Sequence, residues 1–305
     1  MQKFLLRSIL FFTLWLTLLA ALIGIAHIWV GRNQFSNANQ EGNLFIIPEG
    51  IGYDYLVLGI SHGRNLSRRS HHALFESLFS ASMINLSQGE SLGGLENQYL
   101  YLKYFLAKGN KTKEVLIVLS PSLMFNRLPD QSDIIYYREP WRWDFFIHAW
   151  QNGNARKSRQ LFHYFKSKLG HHWWLYKPDP LTTFDGVLPG LDQQAMQQGF
   201  QLAFPERLSF AAFLDRSQVL AELVRTAESS GAVVSFVIPP AVFGIWPGHG
   251  AVMAHLNRTY PGRKILDHSA SITQPVYYYD HHHLNTEGIK KYLPILYAGL
   301  EHRHH

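Results

Sequence analysis

With 305 residues, 47% hydrophobic content and 16% charged residues, the chain has ample apolar material for a packed core and is not a disordered polymer. The absence of cysteine removes disulfides, thiolate nucleophiles and cysteine-ligated metals together. A formal charge of +6 suits anionic partners, but Lys and Arg are scattered without a long basic run, so nucleic acid is not an expected partner.

At the N-terminus, Lys3 and Arg7 precede a stretch from Ile9 to Gly31 that holds no Asp, Glu, Lys or Arg. That length spans a bilayer. Residues 1–31 are therefore expected to be a single transmembrane anchor, favoured over a cleaved signal peptide because the apolar region exceeds the usual signal length. The leading positive charges predict a cytoplasmic N-terminus, with the remainder on the outer, periplasmic or extracellular side. Residues 32–52 are rich in Asn, Gln, Ser and Gly and read as a polar tether.

The folded part, 53–305, opens with "YDYLVLGISHGRN" at residues 53–65. Tyr55 to Leu58 are bulky without alternation, as in a strand buried on both faces of a parallel sheet. Gly59 lets the chain turn, and Ser61 follows at the carboxyl edge of that strand, where open α/β sheets bind ligands. The plainer reading makes Ser61 an N-cap. Next come a helix in "SRRSHHALFESLF", a short strand and glycine-rich loop in "ASMINLSQGESLGG", a helix ending near Gly109, and a strand from Val115 to Leu119. After an irregular stretch, a long amphipathic helix stops at Gly231 and "AVVSFVIPP" forms another buried strand. This alternation predicts a doubly wound α/β fold. The irregular stretch, about 127–205, holds Trp141, Trp143, Trp150, Trp173 and Trp174, five of the eight tryptophans, with Arg138, Arg142, His171 and His172. It is expected to be an inserted cap over the strand ends, its tryptophans mostly packing residues.

Near the C-terminus, "YYYDHHHLNTEGIKKYLPILYAGL" places Asn285 or Thr286 as the cap of a helix with Ile289, Tyr292, Leu293, Leu296, Tyr297 and Leu300 on one stripe. Asp280 and His283, three residues apart in the loop before it, suit a carboxylate orienting an imidazole, which would in turn serve as base for Ser61. Adjacent histidines in an extended loop point different ways, so "DHHH" and the terminal "HRHH" are not expected to hold a metal, and no cofactor is expected. His281 and His282 read as surface or supporting residues. His62, Arg64 and Asn126 are candidates for contacting substrate, the first two against a structural alternative: a loop hydrogen bond for His62 and a solvated helical turn for Arg64.

"GISH", "NLSQG" and "DHHHLNTEG", in that order, resemble the SGNH/GDSL hydrolase superfamily. The resemblance implies Ser61 as nucleophile, His283 as base, Asp280 as its orienter and a three-layer, flavodoxin-like sandwich with a mainly parallel sheet. It also implies oxyanion donors from the Ser61 backbone and Gly89. The superfamily's third-block asparagine has no counterpart in "LSPSLMFN", which leaves Ser120, Ser122 or Asn126 as alternatives. The single span and large cap are most similar to envelope members such as alginate acetylation proteins and the teichoic acid D-alanyl transfer protein. The expected function is a serine esterase or O-acyltransferase acting on an envelope or secreted polysaccharide, with a membrane acyl-donor transporter or acyltransferase as a further partner. The alternative is a non-catalytic polysaccharide-binding or assembly subunit on the same fold.

Overall fold

The computed structural model describes residues 1–30, 44–89, 93–137, 139–168, 186–205 and 207–301. Most of the tether, together with Arg138, His171, His172, Trp173, Trp174 and the terminal "HRHH", lies outside the described residues. Helix α1 (Gln2–Val30) is long and apolar enough over Gln2–Ile25 to cross a membrane. Its Phe4, Leu10, Phe12, Leu16 and Leu18 are exposed rather than packed on the domain.

In chain order the domain runs through β1 (Gly52–Gly59), α2 (Ser61–Asn65), α3 (His71–Phe79), β2 (Met83–Asn85), α4 (Leu95–Ala107) and β3 (Lys111–Val118). Four helices follow: α5 (Leu128–Gln131), α6 (Trp143–Asn152), α7 (Lys157–Lys168) and α8 (Gln193–Ala203). The chain then forms α9 (Phe210–Ser229), β4 (Val233–Ile238), α10 (His249–Thr259), β5 (Lys264–Asp267) and α11 (Thr286–Glu301). The five strands among the described residues pair in parallel, in the order β2-β1-β3-β4-β5. The order reverses between β1 and β3, and crevices at such a switch point are where open sheets take ligands.

The continuous apolar runs are explained by burial on both faces. Leu56, Leu58, Val115, Ile117, Val234 and Phe236 pack in one core with Leu100 and Phe105 of α4 and Leu220 and Val224 of α9. The alternate residues Val57, Leu116, Val118 and Val237 pack in a second core with Phe75 and Phe79 of α3 and Ile289, Leu293 and Leu296 of α11. The stripe expected on the last helix is the face that docks, with Tyr297 at its half-buried edge. Asn285 caps α11, its side-chain oxygen accepting from the Gly288 N–H at 2.9 Å. Gly109 and Gly231, at φ of 72° and 89°, close α4 and α9 in the left-handed region that glycine tolerates.

Three points differ from the sequence reading. The tether ends earlier than residue 52, because the apolar run Leu44, Phe45, Ile46 and Ile47 is buried and Phe45 joins the main core. Strand β5 and helix α10 lie in a stretch where no element was expected. β5 pairs through only four residues and is partly exposed, so it carries no long apolar run. Ser61 begins α2 rather than capping it, since Ile60 occupies the N-cap position.

Candidate active site

The strand ends bring Ser61 to its place through close backbone packing. A Cβ at Gly59 would lie 2.8 Å from the Val118 carbonyl oxygen, and one at Gly63 would lie 2.5 Å from Ser87 Oγ. Only glycine lets the turn after β1 press against β3 and the loop after β2 in this way. Buried Asn85 fastens the turn: its amide donates to the Gly63 carbonyl and to Ser67 Oγ, both at 2.8 Å, while its oxygen accepts from Ser87 N–H at 2.9 Å.

The histidine loop is a tight hairpin. Tyr278 and Leu284 form an antiparallel bridge, and the Tyr279 N–H donates to the His283 carbonyl at 3.1 Å. Asn65 of α2 donates to the Leu284 carbonyl at 2.7 Å, which ties this hairpin to the turn carrying Ser61. The side chains of Ser61, His283 and Asp280 consequently meet across 222 positions of sequence: Ser61 Oγ lies 2.6 Å from His283 Nε2, and His283 Nδ1 lies 2.7 Å from Asp280 Oδ2. The other Asp280 oxygen accepts from the backbone N–H groups of His282 and His283 at 2.9 and 2.7 Å. Burial alone would raise the Asp280 carboxyl, but hydrogen bonds and attraction from His283, with help from His282, hold it well below the usual carboxylate range. Ionised Asp280 can only accept, so the proton of His283 resides on Nδ1 and the Nε2 lone pair faces the Ser61 hydroxyl.

These residues open on a cavity of about 520 Å³. Its lining includes Ser61, His62 and Arg68 after β1, Ser122 and Asn126 after β3, Phe243 and Trp246 after β4, Met196 and Phe200 of α8, and the hairpin from Tyr279 to His283. Asp192 caps α8, accepting from the Gln194 and Ala195 N–H groups at 2.9 and 3.0 Å. The adjoining backbone N–H of Asp192 donates to His281 Nε2 at 3.1 Å, so the helix that covers the cavity is joined to the hairpin.

Several sequence candidates are placed differently from expectation. His282 does not point away; its ring lies 4.0 Å from that of His283 and 5.4 Å from that of His62. The Trp246 ring meets both edge-on, 5.7 Å from His282 and 5.9 Å from His62. His62 is buried and its Nδ1 pairs with Ser120 Oγ at 2.8 Å. Burial, reinforced by His283 and His282, keeps it far below the usual histidine range and hence neutral. Arg64 is buried and does not line the cavity, which counts against both substrate contact and a solvated turn; Arg68 lines it instead and donates to the Tyr279 hydroxyl at 3.3 Å. Asn126 lines the cavity, yet its amide donates to the Ala203 carbonyl at 3.2 Å and its oxygen accepts from Leu128 N–H at 2.9 Å. Gly89 is buried in the loop after β2.

Of the described cap tryptophans, Trp141 is buried among aromatic rings and Trp143 and Trp150 are exposed; none lines the cavity. Among the described residues the tryptophan that does is Trp246, in "FGIWPG" after β4, a residue with no sequence signal of its own beyond following a buried strand. No protein-family model matches the chain, and no curated protein matches it.

Proposed function

We propose that this chain is a membrane-anchored SGNH-type serine esterase or O-acyltransferase, working on an envelope or secreted polysaccharide through an ester formed on Ser61. The observation that carries the reading is the continuous hydrogen-bonded line from Ser61 Oγ through His283 to ionised Asp280, at 2.6 and 2.7 Å, opening on a cavity. A serine hydroxyl needs an oriented base to become nucleophilic near neutral pH, and this line provides both parts. Parallel strands in the order β2-β1-β3-β4-β5 support a flavodoxin-like layering of the kind the superfamily uses.

In this mechanism Ser61 Oγ attacks the ester carbonyl while His283 Nε2 takes its proton, and Asp280 stabilises the imidazolium. Donors for the oxyanion are the Ser61 backbone N–H at the start of α2, Gly89, and the Ser122 hydroxyl at the cavity wall. Ser122 is preferred over Ser120, which is engaged by His62, and over Asn126, which is engaged by the Ala203 carbonyl. The tetrahedral intermediate collapses as His283 returns the proton to the leaving alcohol oxygen. Water or a sugar hydroxyl then attacks the acyl-serine by the reverse sequence of proton transfers. Phe200, Met196, Phe243 and Trp246 offer an apolar wall for the acyl group. Residues 127–205 act as the cap, and the basic N-terminal flank puts the domain on the outer side of the membrane, within reach of a membrane acyl donor.

A serine-reactive phosphonate probe tests the reading. Labelling of the wild type at Ser61, lost in Ser61→Ala and His283→Ala with the fold retained, supports an enzyme. No labelling of a folded wild type assigns the chain to the non-catalytic class.

A further inference from the structure

The imidazole cluster beside Ser61 is larger than a serine and its base require. His62, His282 and His283 each present a ring nitrogen, and the three nitrogens lie within 4.8 Å of one another. Two of the rings are held from behind. His62 Nδ1 pairs with Ser120 Oγ at 2.8 Å, and His283 Nδ1 pairs with Asp280 Oδ2 at 2.7 Å. Metal-binding imidazoles are fixed in tautomer and orientation by this kind of hydrogen bond at the other nitrogen. His62 is buried; its ring comes close to the His282 backbone, a contact that metal capture would have to displace, and its Nε2 forms no hydrogen bond of good geometry among the described residues.

We propose that His62, His282 and His283 form a binding site for a divalent transition-metal ion of the zinc class, overlapping the serine site. Imidazole nitrogen suits such ions, and three imidazoles leave a fourth position that the cavity lined by the same residues can fill with water. Nitrogens sharing one zinc at about 2.0–2.1 Å lie about 3.3 Å apart, so capture draws the rings together by up to about 1.5 Å. His281 stays outside, its Nε2 accepting from the Asp192 N–H at 3.1 Å. The set is thus two hairpin histidines and one from the first turn after β1, rather than three consecutive residues.

The lone pair of His283 that a metal would take is the one on Nε2, 2.6 Å from Ser61 Oγ. One lone pair cannot bind a metal and accept a proton together, so occupancy withdraws the base from Ser61 and the metal acts as an inhibitor. This consequence rests on the acyl-transfer reading; the metal site itself does not.

The test uses the full chain in detergent with His302→Ala, His304→Ala and His305→Ala, so that the terminal histidines do not compete. Zn²⁺ alone is titrated by calorimetry, and Co²⁺ by visible absorption. One site is expected, with the intense Co²⁺ bands of four-coordinate nitrogen ligation. His62→Ala and His282→Ala should each weaken Zn²⁺ at least about tenfold, as loss of a ligand requires. His281→Ala and Ser61→Ala should leave its affinity within about twofold. His282 is the less buried ligand, so its variant and the Co²⁺ spectrum keep the test decisive if His62→Ala does not fold. Absence of a single site, or a site indifferent to both substitutions, overturns the proposal. Zn²⁺ should also slow probe labelling of Ser61, with recovery on chelation. If the probe never labels, the acyl-transfer reading fails while the calorimetric result still decides the metal site.

Discussion

The aromatic cluster under α6 and α7 and the histidine cluster beside Ser61 are built on opposite principles. In the first, Phe45, Tyr136, Trp141, Phe145 and Tyr164 are buried against one another, with Trp141 and Tyr164 stacked at 5.0 Å. Such rings fit many neighbours and contribute area and shape, so the cluster holds the insertion onto α4 without lining the cavity. In the second, Ser61, His283 and Asp280 are set by directional hydrogen bonds from Asn85, Asn65 and the hairpin backbone. Tryptophan content alone therefore marks neither region, since Trp141 packs, Trp143 and Trp150 are exposed and Trp246 lines the cavity, while chemistry is marked by a few polar residues at strand ends.

The sharpest way to break that contrast is to remove its polar centre. Ser61→Ala should abolish probe labelling with no loss of secondary structure by circular dichroism, because Ser61 is not part of either core. Asp280→Asn should lower the labelling rate by roughly 10³–10⁴-fold, less than loss of the serine, since it spoils the His283 tautomer but leaves the nucleophile. An Asp280→Asn variant that labels at the wild-type rate would remove Asp280 from the mechanism.

The aromatic centre should respond in the other currency. Trp141→Ala is expected to cost about 3–5 kcal/mol in denaturant unfolding, as truncation of a fully buried ring does, and to leave labelling of the folded fraction within about twofold. Trp246→Ala, by contrast, should slow labelling or raise KM about tenfold or more, because its ring lines the cavity and borders His62 and His282. If the two variants behave alike, the division between packing and site is wrong.

A smaller effect separates the regions by pH. Lys168 at the end of α7 is buried, its ammonium donating to the Tyr137 and Glu139 carbonyls, and burial lowers it from the ordinary lysine value of 10.5 to about 8. A base depressed in the fold destabilises while both states are protonated. Between about 8 and 10.5 the unfolded chain holds the proton that the folded chain has lost, so stability rises with pH, by at most about 1.4 kcal/mol per unit. Thermal unfolding between about pH 7 and about pH 9.5 should show the Tm gap between wild type and Lys168→Met shifting in favour of the wild type. An unchanged gap would show that the ammonium is solvated.

How legible this was from the chain differs by element. β1, β3 and β4 announce themselves by unbroken apolar runs, and α11 by its cap and stripe, because burial on two faces or on one stripe leaves a periodic trace. Strand β5 and helix α10 left none, being short or half-exposed. The pairing of Asp280 with His283 is local and could be read from their spacing. The inward turn of His282, the burial of Arg64 and the presence of Trp246 and Phe200 in the cavity could not, since each depends on neighbours far away in sequence.

What the sequence by itself determined is the inventory: an apolar first helix, alternating strands and helices, a serine after the first strand and an Asp–His pair before the last helix. These are properties of composition and short-range periodicity, which the chain carries wherever it is placed. Only the tertiary structure decided that Ser61 and His283 lie 2.6 Å apart, and that His62 and His282, rather than His281, stand beside them. The reason is that a parallel sheet gathers its strand ends along one edge, while the order in which strands lie side by side, and the buried amides that pin their loops, set which side chains face each other there.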